Sequence, residues 1–259
     1  MSAFPLESLP FVPLCNLLKM MNIYNLIQLS KCNKTLKNFL RTGPIRSGGY
    51  QISISEFGSS VEMVDQKFRH YWNRKEKSKL LEMVLACHAY LESVFPGGII
   101  HLKVCPTFSE FFEKLPKTCE ILSIGLESGM NTEWDLESIE HSNIDVLLNH
   151  VDFKKGLSLD GPMKTEHEKM LHIDWLKITK SGWMTSSIMG KLKNRIVCLS
   201  EVSLDEREIN GFILDLKNGN GNDRLEIMTI ERNGIWKEEK VMEGLEAERV
   251  GRQTYSIEK

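Results

Sequence analysis

Several features are missing from this 259-residue chain, and each absence removes a class of function. No apolar run approaches the ~18–20 residues that a membrane-spanning helix needs. The first residues lack a basic start, and Pro5, Glu7 and Pro10 interrupt any apolar stretch, so no secretion signal is expected. An excess of one charge is absent as well. A net charge of −2 supplies no basic face to displace counterions from nucleic acid. The six cysteines, Cys15, Cys32, Cys87, Cys105, Cys119 and Cys198, form no Cys-x-x-Cys pair and no dense framework. They read as free thiols in a reducing compartment, which leaves the glycosylation-like triplet Asn33-Lys34-Thr35 unused.

Catalytic constellations are missing in the same way. There is no Gly-x-Ser-x-Gly elbow and no Gly-x-x-x-x-Gly-Lys phosphate loop. His167-Glu168 and His172 come near a zinc-protease pattern, but a spacing of i, i+5 turns the second imidazole about 140° from the first. His172 is expected to open a strand. The run Asn218-Gly219-Asn220-Gly221-Asn222-Asp223 lacks the acidic spacing of a calcium loop and reads as a turn between helix and strand. The pairs Glu206/Glu208 and Glu238/Glu239 read as solvated carboxylates. Cys87 and His88 are adjacent, face different directions on a helix, and make no nucleophile–base pair. No enzyme activity, metal or cofactor is expected.

What the chain does have begins at its N-terminus. Apolar residues recur at Leu14, Leu17, Leu18 and Met21, then at Leu26, Ile27 and Leu29, then at Leu36, Phe39 and Leu40. Each group has amphipathic helical spacing, with polar breaks at Asn22 and from Ser30 to Lys34. Pro13 is tolerated only in a first turn and is expected to make the first helix begin late. Three short helices in about forty residues bury little core of their own, so the segment reads as a docking element. The arrangement of Leu9-Pro10, Leu17-Leu18, Met21, Leu26, Leu29, Cys32 and Leu40 resembles an F-box, in wording closest to the nematode-type group. Asn22-Ile23 stands where that family often has Asp-Pro, and Leu36 near a position where many members carry Trp. The resemblance implies binding to the adaptor subunit of an SCF-type cullin ubiquitin ligase. The adaptor-facing candidates it implies are Leu9, Pro10, Leu14, Leu17, Leu18, Met21, Leu26, Leu29 and Cys32.

Thr42-Gly43-Pro44 and Ser47-Gly48-Gly49 read as a linker, which divides the chain into residues 1–43 and 44–259. Tyr50–Ile54 alternates as a strand and Val61–Val64 is expected to pair with it as a hairpin. The basic stretch Lys67–Lys79, with Tyr71 and Trp72, reads as a solvated approach to a helix rather than a nucleic-acid patch. That helix carries Leu80 to Leu91 and ends before Pro96-Gly97-Gly98. Short alternating runs follow at 99–104, 121–124, 156–159, 172–178, 196–199 and 225–230. Helices are expected at 134–148, 186–192 and 204–217, the last opened by a Ser203/Glu206 capping box and closed by Asn218-Gly219.

Strand–helix–strand at intervals of very roughly twenty to thirty-five residues implies right-handed crossovers. The fold expected is α/β: a short N-terminal three-helix segment followed by a leucine-rich-repeat-like α/β module with a mainly parallel sheet. The competing architecture is a mixed sheet flanked by helices. Residues Trp175-Leu176 through Ser181-Gly182-Trp183, Leu199–Leu204, Glu208–Ile213 and Arg224–Ile227 resemble the type 2 F-box-associated domain, the presumed substrate-recognition part of that family. Trp134, Trp175 and Trp183 are the aromatic candidates for touching a partner. Trp175 lies in a strand and reads as core, whereas Trp134 and Trp183 stand as substrate-contact candidates. The function expected is a substrate-recognition subunit with a protein substrate, acting in cytoplasm or nucleus, with no nucleic acid and no membrane. The alternatives are a non-ligase interaction module using the same helices and, last, an α/β enzyme.

Overall fold

Helix starts and stops in the N-terminal part follow from where backbone N–H groups find acceptors. A computed structural model describes residues 9–21, 23–42, 49–55, 58–63, 69–73, 77–96, 100–106, 112–125, 141–161, 163–245, 248–251 and 254–256. Helix α1 spans Phe11–Met20, α2 Ile23–Cys32 and α3 Lys34–Thr42. Helix α1 starts earlier than expected. Pro13 is its third residue, and the first helical bond, Leu14 N–H to the Pro10 carbonyl at 3.0 Å, comes just after it. The missing proline donor therefore costs nothing, because the first-turn N–H groups have no helical acceptor anyway. Ser30 to Cys32 do not break α2 as expected. The break is Asn33 alone, whose side-chain oxygen accepts from Thr35 N–H at 2.8 Å and Leu36 N–H at 3.1 Å and so caps α3.

The remaining elements build one large sheet. Strands β1 (Tyr50–Ile54), β2 (Gly58–Met63) and β3 (Arg69–Asn73) are antiparallel neighbours, so the expected hairpin gains a third strand where only a helix approach was anticipated. Helix α4 (Lys77–Val94) follows. Then come β4 (Ile100–Val104), β5 (Thr118–Gly125), α5 (His141–His150), β6 (Asp152–Asp160), α6 (Glu168–His172) and β7 (Trp175–Ile178). Helix α7 (Ser186–Lys191), β8 (Ile196–Leu199), α8 (Glu206–Lys217), β9 (Ile227–Ile230) and α9 (Glu238–Val241) complete it. A separate hairpin pairs β10 (Glu248–Gly251) with β11 (Thr254–Ser256). The main sheet is 9-stranded in the order β3-β2-β1-β4-β5-β6-β7-β8-β9. From β1 to β9 every pairing is parallel. The chain is α/β with a mainly parallel sheet, in which β2 and β3 extend one side of β1 and β4 to β9 follow in chain order on the other. His172 closes α6 instead of opening a strand.

Register explains the burial. Ile52, Leu102, Leu122, Leu157, Leu176, Val197 and Met228 are cross-strand partners in succession. Two residues further along each strand, Ile54, Val104, Ile124, Leu159, Ile178, Leu199 and Ile230 form a second row. All but the two β9 members are buried, and these rows join the helices in one hydrophobic cluster. The intervening row, Ser53, Lys103, Ser123, Ser158, Lys177, Cys198 and Thr229, points to the other face. Lys103, Ser123, Lys177 and Cys198 in that row are only half-buried. Ser53 and Ser158 in the same row are buried, so the described helices lie mainly on the first side while this face is not bare throughout. A sheet covered on both sides would show continuous apolar strands instead of this alternation.

Polar side chains stitch successive strands where the chain turns into them. Asn194, fully buried before β8, donates to the carbonyls of Met170 at 2.9 Å and Ile173 at 2.6 Å. Asn222, buried before β9, donates to the Asn194 carbonyl at 2.6 Å, so it is a structural post and more than a turn residue. At the preceding step Lys169 Nζ takes this role, donating to the carbonyls of Leu148 at 2.8 Å and Val151 at 3.0 Å. His167 caps α6 through Nδ1, which accepts from Lys169 N–H. The capping box of α8 is not the expected one. Asp205 accepts from Arg207 and Glu208 N–H, and Glu208 accepts from Asp205 N–H at 3.0 Å. A carboxylate is the better acceptor, and it sits two residues closer to the apolar face that starts at Ile209. Gly219 closes α8 with φ 75°, in the left-handed region glycine tolerates.

Helix α4 joins the first three helices to the sheet. Tyr90 exchanges a 2.5 Å hydrogen bond with the buried Ser30 hydroxyl, which also donates to the Ile27 carbonyl at 2.8 Å. Lys31 and Lys37 place their ammonium groups 5.5 and 4.9 Å from the Tyr90 ring centroid. On the sheet side, the buried Tyr50 hydroxyl meets His88 Nδ1 at 2.8 Å. Gly49, just before it, has φ 116°, which a side chain would strain. The linker expected between residues 41 and 49 otherwise lies mostly outside the described residues.

Two outcomes follow from this packing. Leu157→Ala removes a fully buried member of the first ladder and should lower unfolding free energy by roughly 2–5 kcal/mol in denaturant titration. The second concerns His88, whose pKa burial pushes below the ordinary histidine value while Glu92 partly opposes the shift. Tyr50, Cys87 and Glu92 are the titratable groups around it. Because the folded value lies below the unfolded one, its contribution is present above about pH 6.5 and is lost as pH falls through the folded value. The melting temperature should fall between about pH 7 and 5, and less steeply in His88→Gln.

Candidate functional site

Helix α1 presents apolar side chains on both its inner and its outer side. Inward, Leu14, Cys15 and Leu18 are buried against Leu26, Leu36 and Leu40. Outward, Val12 is 64% exposed, Leu17 37% and Met20 86%. Phe11, 62% exposed, lies edge-on to Phe39 with ring centroids 5.5 Å apart. Asn16 stands exposed between Val12 and Met20, and exposed apolar side chains gathered on one helix mark a candidate interaction surface. No described element of the chain covers this one.

The nine residues expected to meet an adaptor therefore divide. Pro10, Leu17 and Cys32 are exposed, and Leu9, Met21 and Leu29 are half-buried. Leu14, Leu18 and Leu26 are buried among the chain's own helices and hold them together. Phe11, Val12 and Met20 were missed in the sequence, because the search for periodic apolar residues selects the side that packs inward. The signal was present in Phe11-Val12-Pro13-Leu14, a run too continuous for an ordinary amphipathic helix.

A second region lies where the parallel strands end. Loops leaving β6, β7, β8 and β9 line an open depression of about 750 Å3. Trp183, Lys164, Lys180, Glu201, Ser203 and Arg232 are among its lining residues. Ser181 clamps two of these loops together, its N–H and hydroxyl donating to the Ser200 carbonyl at 2.9 and 2.7 Å. Gly182 permits the closest approach, since a Cβ there would stand 2.9 Å from the Ser203 hydroxyl oxygen. Glu201 has φ 56°, the left-handed region, and is the one such non-glycine among the described residues. Arg232 stacks 4.2 Å from the Trp236 ring centroid and donates to Glu206 at 3.0 Å and to the Ile235 carbonyl.

Glu206 is thus not a merely solvated carboxylate. Backbone N–H groups, its own and that of Lys237, hold its carboxyl below the usual range, with Arg232 acting in the same direction. Trp183 lines the cavity, and its indole N–H is closed off from water without an acceptor. Trp134 lies outside the described residues. Trp175, read as core, is half-exposed on the helix-free face, where its ring lies over Gly156 in the neighbouring strand. Its strand neighbours Leu176 and Ile178 take the buried positions.

Chemistry elsewhere is structural. Burial pushes the Cys87 thiol up and holds Cys119 up at about 12, which disfavours the thiolate in both. His167 spends Nδ1 on its helix cap and Nε2 on Asn149 at 3.1 Å. No group of three metal-ligating side chains stands together among the described residues. No described helix is long and apolar enough to cross a membrane.

Against known proteins, residues 6–47 match the F-box domain. No curated protein and no solved structure matches the chain. The matched segment takes in all three helices, α1 to α3, so the chain carries an F-box domain whose first helix bears the outward apolar patch.

Adjacent leucines of α1 should separate folding from exposure. Leu18→Ala should lower stability by roughly 2–5 kcal/mol, whereas Leu17→Ala should cost about 0.5 kcal/mol or less in the isolated chain. Equal losses in denaturant titration would mean that Leu17 is also buried.

Proposed function

We propose that this chain is a substrate-recognition subunit of an SCF-type cullin ubiquitin ligase. The observation that carries the reading is the F-box match at residues 6–47 together with the uncovered apolar side of α1. Phe11, Val12, Leu17 and Met20, with Pro10 at the helix start, form the surface on which the ligase's adaptor subunit packs. Leu14, Leu18 and Leu26 act from behind by fixing α1 in place.

The sheet module is the receptor. The strand order from β1 through β4 to β9 supports a leucine-rich-repeat-like description, and the residues that resemble the type 2 F-box-associated domain include two of the cavity's four loops, those after β7 and β8. A protein substrate is held there and on the helix-free sheet face, with Trp183 as a contact. The chain is no enzyme in this reading and uses no cofactor. It raises the effective concentration of a substrate lysine near the ubiquitin-loaded enzyme, and the other ligase subunits do the chemistry. Such work belongs to the cytoplasm or nucleus and involves neither nucleic acid nor membrane. Residues 1–43 form the adaptor-binding part and 44–259 the substrate-binding part.

The test is capture of the recombinant adaptor by the full-length chain. Wild type should retain it. Leu17→Asp combined with Met20→Asp should weaken capture by at least about 100-fold at an unchanged melting temperature, because two apolar contacts of about 1.5–3 kcal/mol each are lost and neither carboxylate can be buried unpaired. No capture by wild type would remove the ligase reading. Undiminished capture by the double variant would remove α1 as the docking surface.

A further inference from the structure

The parallel stack ends on a strand with no described strand on its outer side. Ile227 and Glu231 donate their N–H groups to the carbonyls of Arg195 and Leu199, so the odd-numbered residues of β9 bond towards β8. The N–H and carbonyl groups of Met228 and Ile230 therefore point the other way, and among the described residues nothing pairs with them. The opposite edge, β3, carries Arg69 and His70, the kind of polar guard that keeps one sheet from adding to another. Strand β9 reads Ile227-Met228-Thr229-Ile230, with no charge, no proline and no bulge in its pairing to β8. Ile227 is 55% exposed, and Met228 and Ile230, the last members of the two apolar ladders, are only half-buried.

We propose that β9 pairs edge to edge with β9 of a second copy of this chain, antiparallel about a two-fold axis at Thr229. The backbone selects that register. Setting Met228 opposite Ile230 of the second copy, and Ile230 opposite its Met228, uses every outward-facing N–H and carbonyl of both strands. An axis at Met228 would instead call on the N–H of Glu226, which is already given to the Arg195 carbonyl at 2.8 Å. The side chains agree. Met228 and Ile230 meet on the side of the sheet that the helices cover, so each copy continues the other's two apolar ladders. Glu226 falls opposite Arg232 of the second copy, and Ile227 falls opposite its Glu231, so no like charges face each other. Thr229, exposed in the single chain, faces its own counterpart across the axis. Such short strands bury little area, which puts the contact in the weak class, with a dissociation constant on the order of 10–100 µM. The axis lies roughly 30 Å from β1, at the end of the sheet away from α4 and the F-box helices, so pairing leaves α1 of both copies uncovered. The pairing rests on β9 alone and is independent of the receptor reading.

Sedimentation velocity of the full-length chain, from about 1 to about 300 µM, reads the association. The sedimentation coefficient should rise from that of a monomer towards that of a dimer over this range. Thr229→Lys and Thr229→Glu each set two like charges face to face across the axis, at a position exposed in the single chain. Both variants should keep the wild-type melting temperature and weaken association at least about tenfold. An equimolar mixture of the two should restore association to within about threefold of wild type, because lysine then faces glutamate across the axis. A substitution that merely perturbed the fold would give no such restoration. The proposal is overturned by a wild type that stays monomeric at the top of the range, by association that neither variant weakens, or by a mixture no better than its components. Loss of the dimer in Leu17→Asp/Met20→Asp, with none in Thr229→Lys, would also overturn it by placing the contact on α1.

Discussion

The alternation of apolar and polar residues in seven parallel strands, held in one common register, is the constraint on which the rest of the molecule depends. Leu102, Leu122, Leu157, Leu176 and Val197 must fall side by side, because a slip of one residue in any strand would turn its buried pair to solvent and expose the helices' packing surface. One-sided burial follows, and so does the strand order. From β4 onward each new strand adds beside the last, as right-handed crossovers returning on the covered side allow. With no reversal of strand order in the parallel part, there is no central crevice of the kind where doubly wound α/β folds bind ligands. Loops at the strand ends are instead laid next to one another. The cavity between β6 and β9 is a product of that stacking.

Hydrogen bonds then fix the stack where hydrophobic contact alone would let it slide. Asn194 and Asn222 replace lost water contacts for carbonyls that the turns leave without partners, and Lys169 does so one step earlier with a long cation instead of a carboxamide. Buried carbonyls need such donors, so the residue type is free to vary provided that its N–H groups reach. Tyr90 does comparable work at the other end of the molecule, where its hydroxyl and its ring face together hold α2 and α3 on α4. The F-box helices and the sheet thereby contribute to one hydrophobic cluster.

Much of this was legible in the residues, and the exceptions have physical causes. The strands Tyr50–Ile54, Ile196–Leu199 and Trp175–Ile178 stand out because period-two alternation needs no tertiary information. Strand β3 did not, since Arg69–Asn73 is charged and aromatic and pairs as a strand only because β2 offers an unfilled edge. The start of β6 was also hidden: Lys154 and Lys155 are polar and exposed, and they sit at a register shift between the β5 pairings of Phe153 and Gly156. Helix periodicity located the three N-terminal helices but sorted their residues by the wrong criterion for a binding site. It selected Leu14, Leu18 and Leu26, which pack inward, and passed over Val12 and Met20, which do not. Trp183 was found by residue type alone, yet its cavity also depends on Lys164 and Arg232 from two other loops, and no sequence spacing brings those together. Trp175 shows the opposite failure, since a strand position says nothing about which face of the sheet is covered.

The two surfaces stand at different ends of the strand order, and the register makes their separation a fixed quantity. Helix α4 packs on β1 and β2 and carries the F-box helices, whereas the cavity loops leave β6 to β9. Adjacent strands are about 4.8 Å apart, so the three to six strand steps from β1 to these strands amount to roughly 15–30 Å across a rigid sheet. A flexible tether would let a captured segment wander and dilute it. A sheet with two apolar ladders across its parallel strands, and polar posts at the steps between β6 and β9, would in the proposed role hold a segment at one distance from the α1 surface. In the receptor role proposed above, that geometry is what the chain would contribute, because proximity raises the rate only when the reacting groups are held within reach. The stiffness of the sheet and the function proposed for it are in this sense the same property.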